Sequence, residues 1–289
     1  MIKNYSSELP LVSVIVPFFN DSKWLIEALQ SVVAQTYTAW EAIVIDDGSE
    51  PEHSNIAKAF CSKYPAKIKY TNHDNHINRG VTISRNVGVA RSSGNYIAFL
   101  DADDKWFCDK LKNQIDLFKK NPQAQMICEA SKFWYTWNNA TAEDVVIPVG
   151  VLQDILYPPG ALTKNLYPLG EGAPPCPSGI MIRKAAFERS GGFEPAFTGV
   201  YTLYEDQAFL AKIYLNETVF ISGTANNLYR KRANSMSSAV NDVIIYEKVR
   251  SFFLNWLEMY LTVKNIKDEE INALITHAYA QMSQNVSQE

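Results

Sequence analysis

Apolar positions follow two rhythms along the first 120 residues of this chain. Residues 12–18 (VSVIVPF) and 40–46 (WEAIVID) are short, nearly continuous apolar runs of the kind found in strands buried on both faces. Between them, Trp24, Leu25, Ala28, Leu29, Val32 and Val33 recur at the helical period, which predicts an amphipathic helix ending near Gln35. Strand, helix, strand in that order implies a right-handed βαβ unit with parallel strands. The alternation continues with a helix over 56–64, a strand over 68–71 and a helix over 82–92 closed by Gly94. A strand over 96–100 and a helix over 109–119, with Leu111, Ile115 and Phe118 on one face, complete the pattern. The expected architecture is α/β: a mostly parallel, open, Rossmann-like sheet flanked by helices.

Over 122–177 the rhythm breaks into an apolar stretch at 126–128, an aromatic one at 133–137, and many prolines and glycines, so loops are expected to dominate. Strand-like residues 178–182, a short helix over 184–188, a helix over 205–214 and a strand over 218–222 follow. A longer helix over 244–261 carries a wide apolar stripe, and the end after His277 is expected to fray.

Three predicted strands end in residues able to do chemistry: 17–20, 46–49 and 101–104. Ligands of open α/β sheets bind outside the carboxyl ends of the strands. Asp101, Asp103 and Asp104 follow the strand over 96–100 directly, and such mutually repelling carboxylates persist most easily around a divalent cation. An EF-hand is excluded, because Lys105, Trp106 and Lys112 fall where that loop needs an oxygen ligand, a glycine and a glutamate. A metal whose remaining coordination comes from water and from ligand phosphates fits better. The alternative is a solvated acidic turn whose Asp104 caps a helix starting near Phe107. At the second strand end Asp47 is placed to accept a hydrogen bond from a base imino group, with Phe18 or Phe19 against the ring; a turn with an Asp cap is the alternative.

Composition narrows the classes. The formal net charge of −4 with dispersed basic residues argues against nucleic acid as a partner. No apolar window approaches the ~20 residues that span a bilayer, and residues 1–10 are too polar for a secretory signal. A soluble, cytoplasmic protein with room for peripheral contact at the inner face of the membrane is expected. Cys61, Cys108, Cys128 and Cys176 lack zinc-type spacing, which implies free thiols and no structural zinc. The absence of Gly-x-Gly-x-x-Gly after the first strand argues against a dehydrogenase. His53, His73, His76 and His277 show no ligand spacing, and a surface loop accounts for His73 and His76.

Taken in order, VSVIVPFFN, SVVAQTY, WEAIVIDDGS, GVTISRNVGVARSSGNYIAFLDADD, GGF and YED resemble a family 2 glycosyltransferase of the GT-A fold over about residues 10–240. The resemblance implies a nucleotide-sugar-binding half over 10–120, a loop-rich acceptor and catalytic half over 121–240, and a helical extension over 241–289. It implies a nucleotide-diphosphate sugar donor, most often a UDP-sugar, a manganese or magnesium ion, and a saccharide or lipid-linked saccharide acceptor. By position, Pro17 and Phe19 would line the base pocket with Asp47 reading its edge. Asp101 would touch the ribose and, with Asp103, form the metal-binding Asp-x-Asp motif.

Arg85 is expected near the diphosphate, with pairing to a surface carboxylate as the alternative. Asp206, of the Glu205-Asp206 pair, would be the base of an inverting displacement; first-turn acids serving only the helix dipole are the alternative. Relatives often carry Tyr-Arg-x-His and a later Ser where this chain has Tyr229-Arg230-Lys231-Arg232-Ala233-Asn234-Ser235. An arginine there cannot ligate metal but can clamp phosphate. Phe133, Trp134, Tyr135 and Trp137 would form a sugar platform or pack into the core. No Gln-x-x-Arg-Trp motif is evident, so transfer of single sugars is expected. The rivals are a sugar-nucleotide nucleotidyltransferase, whose Gly-rich basic loop after the first strand is missing, and a catalytically inactive nucleotide-sugar-binding subunit.

Overall fold

The computed structural model describes residues 9–232 and 243–286; Ala233, Asn234 and Ser235 of the basic run lie outside the described residues. The first half alternates β1 (Val12–Phe18), α1 (Ser22–Val33), β2 (Trp40–Asp46), α2 (Pro51–Cys61), β3 (Ile68–Asn72), α3 (Val81–Ala90) and β4 (Tyr96–Phe99). β5 (Lys105–Trp106), α4 (Lys110–Lys120), β6 (Met126–Glu129), β7 (Ser131–Trp134), β8 (Val145–Ile147), β9 (Ile155–Tyr157) and α5 (Ala161–Asn165) follow. The chain continues through β10 (Ile180–Arg183), α6 (Lys184–Ser190), α7 (Glu205–Asn216), β11 (Val219–Ser222), β12 (Asn227–Arg230), α8 (Val243–Val263) and α9 (Glu269–Val286).

One large sheet runs in the order β3-β2-β1-β4-β10-β6-β11-β9. β3, β2, β1 and β4 are parallel, with β1 in register from Val12 opposite Trp40 to Phe18 opposite Asp46. β10 is antiparallel to both β4 and β6. β1 and β2 are buried throughout because helices cover both faces. Val12, Val14, Val16 and Phe18 meet Leu25, Leu29 and Val32 of α1 and Leu111, Ile115 and Phe118 of α4. Ile15, Ile43 and Ile45 face the other way, in the cluster that holds Val89 of α3, Phe187 of α6 and Phe209 of α7. Gly88 lets α3 lie close on this face, since a Cβ there would stand 2.6 Å from Ile15 Cγ2 and 2.7 Å from Ile45 Cδ1. Gly94, expected to close α3, has a different duty: the helix ends at Arg91, and the Gly94 amide donates to Ser13 Oγ at 2.9 Å.

The region 122–177 is more ordered than its sequence suggests. It supplies strands to the main sheet and to a second sheet of order β5-β12-β7-β8. These strands are two to four residues long, too short to show alternation, and β12 pairs with β7 in parallel from almost a hundred residues away. α7 is buried nearly all round because α8 and α9 cover its far side, Ala208, Ala211 and Leu215 meeting Phe253, Leu257 and Ile275. The tail expected to fray after His277 continues α9 to Val286.

Candidate active site

Side-chain bonds tie the ends of β1 and β2 together. Asn20, in the left-handed region, donates its amide to Ser49 Oγ at 3.0 Å and accepts the Glu50 amide on Oδ1 at 2.6 Å. Asp46 is wholly structural: it accepts the Ser49 amide at 2.8 Å and the Ser54 and Tyr70 hydroxyls at 2.5 and 2.6 Å, so these bonds hold its carboxyl below the usual range against the cost of burial. Asp47 accepts the Arg79 amide at 2.8 Å and the Gly80 amide at 3.0 Å, with His73 Nε2 3.2 Å from Oδ1. It therefore organises the loop that leads into α3. His73 is buried rather than on a surface loop, and its Nε2 also meets Ser84 Oγ at 2.8 Å.

A cleft of ≈590 Å³ opens beside these strand ends. It brings together Pro17, Phe19, Arg85, Asp101, Asp103 and Asp206, all expected from the sequence, together with Phe133, Glu205 and Arg232, which the sequence offered as candidates, and adds Asp21 and Glu129. The described residues of its wall do not include Asp47, whose oxygens are already engaged by loop amides. These amides orient the Asp47 carboxylate, whose oxygens each accept more than one bond. Phe19 is 49% exposed on the rim, whereas Phe18 is buried beneath it.

Arg85 is the hub of one wall. Its Nη2 donates to Asp101 Oδ1 at 2.6 Å and its Nη1 to Glu205 Oε1, and the guanidinium lies 5.0 Å from the Phe193 ring centroid. The alternative of a surface ion pair is thereby corrected: both partners face the cleft, and Arg85 itself is 3% exposed. Two fork–carboxylate bonds satisfy a buried charge that would otherwise cost several kcal/mol. Glu205 Oε2 is buried without a hydrogen-bond partner among the described residues. Burial pushes the Glu205 carboxyl up to about 7, opposed by Arg85 and assisted by Asp206.

Asp206 follows in the first turn of α7, where its Oδ1 accepts the Gln207 amide at 2.7 Å. Burial raises it to about 6, against the pull of Arg85. Tyr204, just before this pair, is held by the Tyr167 hydroxyl, which also meets that of Tyr246 on α8 at 2.6 Å.

The aspartate turn divides its duties. Asp104 is neither solvated nor a helix cap: it is buried, accepts the Ser178 hydroxyl at 2.6 Å and the Arg230 amide at 3.0 Å, and α4 begins only at Lys110. Ser178 also accepts the Asp101 amide at 3.1 Å, so β12 and the turn before β10 shape the aspartate turn. Asp103 faces the cleft, and Arg232 Nη2 donates to its Oδ2 at 2.6 Å. Burial first, and Asp101 next, raise the Asp103 carboxyl above its usual range. Two hard carboxylates that repel one another suit manganese or magnesium. No group of three or more acidic, histidine or cysteine side chains that could hold a metal converges among the described residues, so these two carboxylates would supply only part of a dication's coordination.

Arg230 lies 4.0, 4.4 and 5.2 Å from the rings of Trp24, Trp134 and Trp137 and pairs with Glu27 at 2.9 Å. The aromatic group thus splits: Trp134 and Trp137 cage a structural arginine, while Phe133 lines the cleft and tilts against Tyr229 at 5.1 Å. Sequence reasoning missed Asp21, Ser178 and Glu129. Only Asp21, beside the turn residue Asn20 at a strand end, carried a local signal.

The family model described as Glycosyl transferase family 2 matches residues 13–191. The Escherichia coli UDP-Glc:alpha-D-GlcNAc-diphosphoundecaprenol beta-1,3-glucosyltransferase WfgD is 36% identical over 111 residues, 38% of this chain and 42% of that protein. The matches to curated relatives span between 17% and 42% of those proteins' own length. Among solved structures, Staphylococcus aureus TarS 1-349 in complex with UDP-GlcNAc superposes with a TM-score of 0.60 at 20% identity, over 85% of this chain and 66% of that one. The mannosyltransferase PcManGT from Pyrobaculum calidifontis, in complex with GDP-Man and Mn2+, does so with a TM-score of 0.63 at 15% identity, over 96% and 70%. The observed architecture is the GT-A fold.

Proposed function

This chain belongs to glycosyl transferase family 2, and on that premise we propose that it moves one sugar from a nucleotide-diphosphate sugar to an acceptor hydroxyl with inversion. The observation that carries the reading is the convergence of Pro17, Arg85, Asp101, Asp103 and Asp206, from four separate stretches of chain, on one cleft. The base and ribose lie against Pro17 and Phe19, at the ends of β1 and β4, with Asp101 toward the ribose and Asp47 shaping the loop behind. Asp101 and Asp103 would hold manganese or magnesium, which would supply positive charge against the diphosphate leaving group.

Asp206 takes the proton of the acceptor hydroxyl as its oxygen bonds to the anomeric carbon and the bond to the diphosphate breaks. A carboxyl raised to about 6 is ionised at neutral pH yet more basic than a solvated one, which suits that role. The unpartnered Oε2 of Glu205 is a hydrogen-bond acceptor for a sugar hydroxyl. Binding of UDP-GlcNAc by TarS and the UDP-Glc named for WfgD favour a UDP-sugar. Ile147, Val149, Pro174, Pro175 and Leu203 make the remaining wall largely apolar, which supports a lipid-linked saccharide acceptor and peripheral work at the inner face of the membrane. No described helix is long and apolar enough to cross a membrane.

Thermal-shift measurements with UDP, GDP and their sugars, with and without Mn2+, test the donor site, since ligands of the folded state stabilise by mass action. Binding at 100 times Kd raises stability by about 2.7 kcal/mol. Asp103→Ala is expected to abolish the Mn2+-dependent part of the shift. A shift in none of these ligands ends the reading.

A further inference from the structure

The end of β12 carries two arginines two positions apart in opposite settings. Arg230 is sealed among three tryptophans, its Nε donating to the Asp103 carbonyl at 2.7 Å, with only 1% of its side chain exposed. The Arg232 side chain is 31% exposed and spans the cleft mouth, Nη1 donating to Asp21 Oδ2 at 3.0 Å and Nη2 to Asp103 Oδ2 at 2.6 Å. All three side chains line the cleft.

Asp21 adds an independent observation. It occupies the N-cap position of α1, where an aspartate ordinarily accepts helix amides and contributes ~1 kcal/mol. Its side chain makes no such bond and turns to Arg232 instead. A local rule broken at a cleft points to function rather than to helix stability. A guanidinium has donors only, so it cannot ligate a metal itself, and its positive charge on Oδ2 competes with a dication for Asp103. The same planar fork matches a phosphate with two parallel bonds.

We propose that Arg232 is a tethered counter-cation that holds Asp103 while the cleft is empty and transfers to the donor diphosphate when a dication takes Asp103. Asp21 is the positioning residue that keeps the guanidinium at the cleft mouth in both states. This deepens the donor-site reading and rests on it.

Mn2+ binding to the full chain without nucleotide, followed by loss of the free-ion EPR signal, is the test. Arg232→Gln removes the competing cation and is expected to bind Mn2+ about tenfold more tightly, with Arg232→Lys close to the native protein. With Mn2+ saturating, Arg232→Gln is expected to bind UDP about tenfold more weakly, because the diphosphate loses its fork. Asp21→Asn is expected to weaken Mn2+ binding in the native background and to lose most of that effect in Arg232→Gln. Equal Mn2+ affinity of the native and Arg232→Gln proteins, with Asp103→Ala losing the ion, overturns the tether and leaves the metal reading standing. Undiminished Mn2+ binding by Asp103→Ala removes that reading and this proposal together.

Discussion

Two guanidinium–carboxylate clusters line the cleft, and they differ in what surrounds them. Arg85, 3% exposed, joins Asp101 to Glu205 under the Phe193 ring. Arg232, 31% exposed, joins Asp21 to Asp103 at the mouth. A buried pair is locked because breaking it strands an uncompensated charge, whereas a half-exposed pair is worth about 1 kcal/mol or less once water and salt screen it. The same chemistry therefore builds a frame where it is buried and an exchangeable contact where water reaches it. Asp206 stands next to the frame without being bound by Arg85.

The largest expected effect isolates Asp206 from that frame. Asp206→Asn should lower kcat by about 10²–10⁴-fold while donor binding, read by thermal shift, stays near native. Transfer at the native rate would assign the base elsewhere.

Next, Arg85→Ala should destabilise the fold by about 3–5 kcal/mol, read as a lower denaturation midpoint, because Glu205 and Asp101 lose their counter-charge. Arg85→Lys should rescue little, since one ammonium cannot serve two carboxylates in the fork geometry. A change in midpoint no larger than that caused by Arg232→Ala would erase the contrast between the clusters.

The smallest effect is the pH profile. Asp206 is raised to about 6, and the proposed base role requires it ionised, so kcat/KM should fall about tenfold per unit below pH 6 and level off above it. For stability the sign is opposite: raised carboxyls such as Asp206 and Glu205 make the folded chain bind more protons than the unfolded one. Their contribution to stability thus declines as pH rises from the ordinary carboxylate range through about 6 and 7. A profile whose acid limb lies near pH 4 would place Asp206 in water.

Much of the first half of the chain was legible because its signals are local. The β1 and β2 runs, the helical period of α1 and the aspartates after β4 are written within stretches of seven to twelve residues. Helix ends were less so: α2 starts at Pro51, ahead of the apolar stripe from Ile56 that marks it. The cleft residues Pro17, Phe19, Asp101, Asp103 and Asp206 were accessible through the ordered motifs. Asp47 sits at a strand end as expected, but its bonds to the loop amides of Arg79 and Gly80 were not legible, since no local pattern joins residues that far apart.

By itself the sequence determined which segments are strands buried on both faces and which acids stand at their ends, because burial by near neighbours leaves a period in the chain. Tertiary structure alone decided the partners of those charges: Arg85 finds Glu205 across 120 positions and Arg232 finds Asp21 across 211. It likewise decided the second sheet, assembled from strands too short to have a period. Pairing at such separations follows from where the packed core brings groups together, and no local pattern encodes it.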